Sequence, residues 1–171
     1  QFNYGFDFSE DFAAVQLEKG YGYIDRTGIM VIEDKYEKVS GFYSGLSKVM
    51  IGDYYGYIDT RGKLRIATDY IDAGDFREGL APAMKWKKYG YINENGKFII
   101  KEKYEYASGF SEGVAVVREN EKYGYIDNKG KYIISNLFDE AFDFKRGRAV
   151  VKSNGKYMLI DINGKIVWRE K

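Results

Sequence analysis

The sequence predicts an all-β protein made of five tandem copies of one 34-residue unit. Landmark residues that return with a single period, and a strand-like alternation inside each unit, carry this prediction. The units span about residues 2–35, 36–69, 70–103, 104–137 and 138–171. Because no linker separates them, we expect one repeat domain over residues 1–171.

The landmarks recur without insertions. A Tyr-Gly-Tyr-Ile-Asp block, or a variant of it, begins at Tyr21, Tyr55, Tyr89, Tyr123 and Tyr157. A phenylalanine precedes each block, at Phe8, Phe42, Phe76, Phe110 and Phe144. A glycine closes the turn after each block, at Gly28, Gly62, Gly96, Gly130 and Gly164. Their shared spacing shows that the repeat runs along essentially the whole chain.

Within a unit, the pattern predicts a three-stranded antiparallel β-meander. In the fourth unit the first strand is the apolar stretch Val114–Arg118, and the second is Tyr123–Asp127. The sequence Asp127-Asn128-Lys129-Gly130 is typical of a type I turn with glycine in the left-handed conformation. The third strand covers residues 131–134. The connecting segment 104–110 is either a turn or a short fourth strand.

One face of the third strand is apolar in every unit and is therefore expected to be buried. Its members are Met30/Ile32, Leu64/Ile66, Phe98/Ile100, Tyr132/Ile134 and Ile166/Trp168. In the last unit Trp168 stands in an isoleucine position, and we expect it to plug the core there.

Stacked repeats contact only their neighbours, and terminal repeats are usually atypical. The first and fifth units are the irregular ones here, since Asp11 replaces a recurring glycine and Met158 breaks the tyrosine block. We therefore expect an open, twisted, solenoid-like array. A five-bladed β-propeller is the alternative, because the connecting segment could supply a fourth strand to each blade.

The amino-acid composition argues against several classes of function. Lys plus Arg (27) nearly balances Asp plus Glu (26), so no net field favours nucleic acid. The sequence has no histidine or cysteine, which removes the commonest general base, thiol nucleophile and metal ligands. No apolar run is long enough to insert into a membrane. We predict no catalytic, cofactor-binding or metal-binding residues and no cofactor.

The recurring carboxylates have a structural interpretation. Asp25, with its equivalents at 59, 93, 127 and 161, is expected to cap its own turn through its side-chain oxygen. A glycoside hydrolase pair could instead be assembled from Glu10, Glu78 and Glu112. That position is not kept in every unit, since Ser44 and Arg146 occupy it in the second and fifth.

Candidate binding residues are those that break the repeat. Trp86 and Tyr54 lie at the tips of equivalent hairpins in successive units, where nothing in the repeat pattern buries them. Exposed aromatic rings are common anchors of protein interfaces and of sugar-stacking sites. We predict a ledge formed by these two rings and their charged neighbours Lys85, Lys87, Lys88 and Asp53.

Two blocks carry a family resemblance. Residues 122–131, Lys-Tyr-Gly-Tyr-Ile-Asp-x-x-Gly-Lys, and residues 110–117, Phe-Ser-Glu-Gly-x-Ala-x-Val, resemble the WG-repeat (KWG) family of bacterial β-repeat proteins. Tyrosine replaces the tryptophan of the Trp-Gly pair throughout. The resemblance implies a β-rich module, often in surface or secreted proteins, without established catalytic activity. It therefore predicts an extracellular or cell-surface location.

Three functions follow as hypotheses. The first is a non-catalytic scaffold for protein–protein recognition, and it makes a protein the expected partner. The second is a carbohydrate-binding or cell-wall-binding module, with a glycan as the ligand. The third is a glycoside hydrolase.

Overall fold

The computed structural model describes residues 2–171 and consists of strands and turns in an all-β fold. Its twenty strands form five four-stranded antiparallel sheets, none closed into a barrel. In chain order the strands are β1 (Tyr4–Gly5), β2 (Phe12–Gln16), β3 (Tyr21–Asp25), β4 (Met30–Tyr36), β5 (Lys38–Tyr43), β6 (Leu46–Ile51), β7 (Tyr54–Asp59), β8 (Leu64–Tyr70), β9 (Asp72–Ala73), β10 (Leu80–Met84), β11 (Tyr89–Asn93), β12 (Phe98–Tyr104), β13 (Tyr106–Ala107), β14 (Ala115–Glu119), β15 (Lys122–Ile126), β16 (Tyr132–Phe138), β17 (Glu140–Ala141), β18 (Arg148–Ser153), β19 (Lys156–Asp161) and β20 (Ile166–Arg169). Among residues 2–171 there is no helix of the length and apolarity needed to cross a membrane.

Each sheet has one strand more than the predicted three-stranded meander. The connecting segment forms the added strand, which pairs with the next strand of its own sheet, as Tyr106 does with Arg118 and Ala107 with Val117. In four of the five sheets this strand is only two residues long. So short a strand shows no alternation, and the sequence could not distinguish it from a turn.

The tyrosine strand and the last strand of each sheet do not pair in simple register. In the fourth sheet Tyr123 faces Phe138 and Tyr125 faces Ile134, so four residues of β16 span two residues of β15. This bulge pushes the backbone of β16 against Gly124. A Cβ atom on Gly124 would lie 2.7 Å from the backbone nitrogen of Asn136. The glycine of the block is therefore needed because another main chain passes over it.

The core lies between successive sheets. The second tyrosine of each block is fully buried, and its ring packs on the phenylalanine of the next sheet. The ring centroids are 4.9 Å apart for Tyr23–Phe42, 4.8 Å for Tyr57–Phe76, 5.0 Å for Tyr91–Phe110 and 4.9 Å for Tyr125–Phe144. Each tyrosine hydroxyl also donates a hydrogen bond to a carbonyl of the next sheet, at Ser40, Gly74, Ser108 and Phe142 respectively.

The prediction that both apolar positions of the last strand are buried is half wrong. The second position is buried in the first four sheets, at Ile32, Ile66, Ile100 and Ile134. The first position is exposed at Met30, Leu64 and Ile166, since only the second faces the following sheet. Trp168 is 55% exposed and does not plug a core, because no sheet of residues 2–171 packs over it.

Four hydrophobic clusters join the sheets in pairs, first to second through fourth to fifth. Within the described chain no cluster joins the fifth sheet to the first. The sheets therefore pack on one another in chain order.

Candidate binding cleft at the hairpin tips

Turns at the two ends of each sheet form two separate surfaces. In a meander, successive turns alternate between the ends of the sheet. The hairpin tips between second and third strands therefore lie at one end, and the turns on either side of those strands lie at the other. We call the turns between first and second strands the clasp turns. They are residues 9–12, 43–46, 77–80, 111–114 and 145–148.

The hairpin tips of the second and third sheets share a cleft of about 370 Å³. Tyr54 and Trp86, the two rings of the predicted ledge, both line it. Its other lining residues are Thr68, Asp69, Ile71 and Lys85. Trp86 is 80% exposed and Tyr54 is 47% exposed. An apolar surface with a charged border is thus open to solvent at this end of the molecule.

The charge in the cleft is fixed in position. The Lys85 ammonium group forms an ion pair with Asp69 and lies 5.2 Å from the centre of the Tyr70 ring. The backbone N–H of Lys85 donates to Glu102 at 3.0 Å. The hydrogen bond to Asp69 raises the pKa of Lys85, so its side chain stays protonated at neutral pH. Lys85 thus presents a positive charge that is already paired.

The other predicted ledge residues lie outside the cleft lining. Lys88 forms an ion pair with Glu105 at 3.2 Å. Lys87 and Asp53 are exposed on the tips. The Lys85–Lys88 stretch is therefore less basic in effect than it looks in sequence, because two of its three lysines have acidic partners.

The turn-capping prediction for the recurring carboxylates is confirmed. Asp127 Oδ1 accepts hydrogen bonds from the backbone N–H groups of Lys129 and Lys131, both at 2.9 Å. The same pair of bonds is made by Asp25, Asp59, Asn93 and Asp161 in their own turns. Over residues 2–171, no three acidic side chains lie close enough together to hold a metal ion.

The glutamates considered for glycoside hydrolysis instead join successive sheets. Glu10 accepts hydrogen bonds from the backbone N–H groups of Ser44 and Gly45 at 2.7 and 2.8 Å. Glu112 accepts from Arg146 and Gly147 at 2.5 and 2.8 Å. Glu78 accepts from Gly113 at 3.1 Å. The sequence shows that these glutamates occupy the same position of the 34-residue repeat, but it does not show which backbone N–H groups they bind.

A second cleft was not predicted from the sequence. It has a volume of about 600 Å³ on the fifth sheet, and Phe142, Val150 and Leu159 form its apolar part. Phe142 and Val150 are both exposed. The signal in the sequence was Phe142, which stands where the three inner units have Ser40, Gly74 and Ser108.

Solved structures with this arrangement of sheets are β-propeller-like, which was the alternative to the solenoid-like packing. Hsv2 of Kluyveromyces lactis matches with a TM-score of 0.61 and 8% identity, over 96% of this chain and 61% of that one. A eukaryotic initiation factor matches with a TM-score of 0.61 and 11% identity, over 95% of this chain and 53% of that one. The chain thus spans about three fifths of the length of the first structures it matches.

Comparison of the sequence with curated proteins gives no match. The WG containing repeat matches four times in tandem, at residues 21–55, 55–89, 89–123 and 123–157. Each match runs from the first tyrosine of one block to the first tyrosine of the next. It therefore includes the bulged strand, the clasp turn and the following hairpin. With 34-residue repeats that pack face to face along its length, this chain belongs to the WG containing repeat family.

Proposed function

We propose that the chain is a non-catalytic scaffold that binds a protein partner through the cleft at its hairpin tips. The observation that carries the proposal is the convergence of Tyr54 and Trp86, from two different sheets, on one open cleft. A tryptophan that is 80% exposed contributes little to the fold of the chain itself.

The surroundings of the two rings support a protein partner. Interface hot spots combine aromatic anchors with a polar border that excludes water. Here the anchors are Trp86 and Tyr54, Ile71 adds apolar surface, and the Lys85–Asp69 pair forms the border. The propeller-like neighbours are generally protein-interaction modules, which supports the same class of partner.

A carbohydrate-binding module is the second candidate. The same rings offer flat faces to sugars, and Asp69 and Lys85 offer hydrogen-bonding groups beside them. The open form of the cleft favours this candidate, since sugar chains bind along exposed aromatic surfaces.

We propose a location on or outside a bacterial cell, on the strength of the resemblance to surface and secreted repeat proteins. The partner should then be sought in the envelope and culture medium of the source cells. Recovery of the chain from the cytosolic fraction alone would contradict this location.

The test is a double variant, Tyr54→Ala with Trp86→Ala, compared with wild type. We expect it to lose a partner that wild type retains, because both anchors are removed from one cleft. The matched control is Trp168→Ala, which removes the other exposed tryptophan at a distant site. The chain has two tryptophans, so the Trp168→Phe variant reports on Trp86 alone by fluorescence.

Three outcomes separate the hypotheses. Loss of one protein by the double variant, with retention by Trp168→Ala, supports the scaffold. Loss of binding to a defined glycan or peptidoglycan by the double variant, when wild type retains no protein, supports the carbohydrate-binding module. Retention of every ligand by a folded double variant would show that the cleft is not the binding site.

A further inference from the structure

The clasp turns are two-residue turns that leave a pair of backbone N–H groups directed outward. In all five sheets both turn residues have positive φ, from 48° to 55° at the first residue (Glu10, Ser44, Glu78, Glu112, Arg146) and from 69° to 81° at the second (Asp11, Gly45, Gly79, Gly113, Gly147). The five turns therefore present their N–H groups in the same way. Paired N–H groups of this kind form a concave site for anions.

In two of these five turns a carboxylate of the same chain accepts from both N–H groups, and in the fourth-sheet turn Glu78 accepts from Gly113 alone. Glu10 binds the second-sheet turn and Glu112 binds the fifth-sheet turn, each through both carboxylate oxygens. The chain itself thus shows that the paired N–H groups of a clasp turn bind a carboxylate. A carboxylate fits, with oxygen-to-nitrogen distances of 2.5 to 2.8 Å.

The third-sheet turn has a preceding sheet but receives no carboxylate from it, and the first-sheet turn has no preceding sheet within residues 2–171. The residue that would supply the carboxylate to the third-sheet turn is Ser44, which stands where the first and fourth units have Glu10 and Glu112. A serine side chain is two carbon atoms shorter than glutamate and does not span the gap. Within residues 2–171, the backbone N–H groups of Glu78 and Gly79 donate to no side-chain or backbone acceptor.

A cation and a cleft accompany the unfilled turn. The Arg77 guanidinium group lies 5.7 Å from the centre of the Tyr43 ring, next to Ser44. Tyr43, Ser44, Arg77 and Glu78 line a cleft of about 400 Å³. Two carboxylates also border it, but Glu10 and Glu78 are each hydrogen-bonded to the N–H groups of a neighbouring turn. Arg77 provides the charge that an incoming anion would pair with.

We propose that the third-sheet clasp turn, residues 77–80, is a binding site for a carboxylate group of a peptide ligand. The ligand carboxylate takes the place that Glu10 and Glu112 occupy at the other turns. It accepts hydrogen bonds from the N–H groups of Glu78 and Gly79 and pairs with Arg77. The site lies at the opposite end of the strands from the Tyr54–Trp86 cleft, so the two proposals stand or fall separately.

The test follows backbone amide signals by NMR while acetate, and then short peptides, are added. The peptides carry either one glutamate with an amidated C-terminus or a free C-terminal carboxylate, and a glutamine peptide with an amidated C-terminus is the neutral reference. We expect the amides of Glu78 and Gly79 to shift with the carboxylate ligands. The amides of Gly45 and Gly147 should not move, because a carboxylate already occupies their turns.

The deciding variant is Ser44→Glu, which supplies the missing carboxylate from within the chain. Glutamate fits the backbone there, since Glu10, Glu78 and Glu112 adopt φ values of 48°, 52° and 55° at the equivalent position. We expect the Glu78 and Gly79 amides of the free variant to move to their ligand-bound positions. Affinity for the carboxylate ligands should fall about tenfold or more, which corresponds to about 1.4 kcal/mol. Ser44→Ala is the matched control and should bind as wild type does.

The ligand arms distinguish the source of the carboxylate. Binding of the glutamate peptide alone identifies a side-chain carboxylate, and binding of the free C-terminus alone identifies a chain terminus. The proposal is overturned if Glu78 and Gly79 do not respond to any carboxylate, if the neutral peptide moves them equally, or if Ser44→Glu leaves the response unchanged. If Ser44→Glu folds poorly, the proposal can still be tested, because wild type and Ser44→Ala each report carboxylate binding through their own Glu78 and Gly79 amide signals.

Discussion

At the scale of single residues, the second tyrosine of each block explains why the repeat uses tyrosine at that position. Its ring is buried between two sheets, and its hydroxyl donates to a carbonyl of the next sheet, at 2.8 Å from Tyr125 to Phe142. Phenylalanine would fill the same space but leave that partly buried carbonyl without its hydrogen bond. The residue therefore contributes both packing and a directed bond between sheets.

Comparison of Tyr125→Phe with Tyr104→Phe tests this account. The Tyr125 variant loses a partly buried hydrogen bond and should lose about 1 kcal/mol of unfolding free energy. The Tyr104 hydroxyl is buried without a hydrogen-bond partner in residues 2–171, so its removal should be neutral or stabilising. Urea unfolding of both variants gives the two values. Equal losses would contradict the assigned role of the hydroxyl.

At the scale of the strand, the bulge opposite each tyrosine block sets the path of the last strand. Two residues of β15 span four residues of β16, and Gly124 leaves room for the crossing main chain. The glycine is not at a turn, and its need arises from another strand of the sheet. This is a tertiary requirement that appears in the sequence as a local motif.

A glycine-to-alanine pair measures that requirement. Gly124→Ala places a methyl group against backbone atoms that cannot rotate away, so we expect a loss of about 1–3 kcal/mol. Gly5→Ala is the control, because its Cβ atom would meet only Val15 Cγ1 at 3.9 Å. That variant should stay within about 0.5 kcal/mol of wild type. Thermal or urea unfolding of both proteins decides the point.

The repeat, the strands and the capped turns were predictable because each leaves a local signature. The Tyr-Gly-Tyr alternation marks a strand, and Asp127 with Gly130 marks a turn. The two-residue strand at Tyr106–Ala107 left no such signature. Its existence depends on pairing with β14 and not on its own residues.

In the candidate site, too, features with a local sequence signature could be predicted and features that depend on packing between sheets could not. The exposure of Trp86 and Tyr54 could be predicted, since both break the repeat at hairpin tips. Their shared cleft depends on how the second sheet packs on the third, which no local pattern specifies. The burial of Trp168 was wrongly predicted for a related reason, because burial there requires a following sheet. The role of Glu112 was also hidden, as its partners lie 34 and 35 residues away.

At the scale of the whole molecule, stability is divided among four junctions between sheets. Each junction has its own hydrophobic cluster and its own buried tyrosine. In such an array the unfolding free energy is approximately the sum of unit and nearest-neighbour contributions. A change at one junction should therefore weaken that junction without altering the others directly.

The buried tyrosines should limit the stability of the whole array at high pH. Burial raises the pKa of Tyr104 to about 12, and it raises the pKa values of Tyr23, Tyr57, Tyr91 and Tyr125 further. In the unfolded chain a tyrosine ionises near pH 10. The folded state thus holds protons that the unfolded state releases. Stability should be fully present below about pH 10 and decline as pH rises from there through about 12.

Denaturant unfolding at about pH 8, 10 and 11 checks this expectation. The unfolding free energy should fall most steeply between the last two values, and Tyr104→Phe should reduce that slope. A free energy that does not change across this range would show that the buried tyrosines ionise as readily in the folded protein as in the unfolded one.

The hydrogen bonds that the tyrosine hydroxyls and the clasp glutamates make between sheets share one property, which has a consequence for the history of the chain. The tyrosine hydroxyls and the clasp glutamates all reach forward to main-chain atoms of the next unit. Main-chain atoms are present whatever side chain the position carries. A unit can therefore be duplicated, deleted or exchanged without a matching side-chain change at these two kinds of bond. Ser44 and Arg146 show how far a unit can diverge at its clasp turn while its N–H groups still bind the preceding unit's carboxylate. This tolerance frees single units to acquire their own ligands.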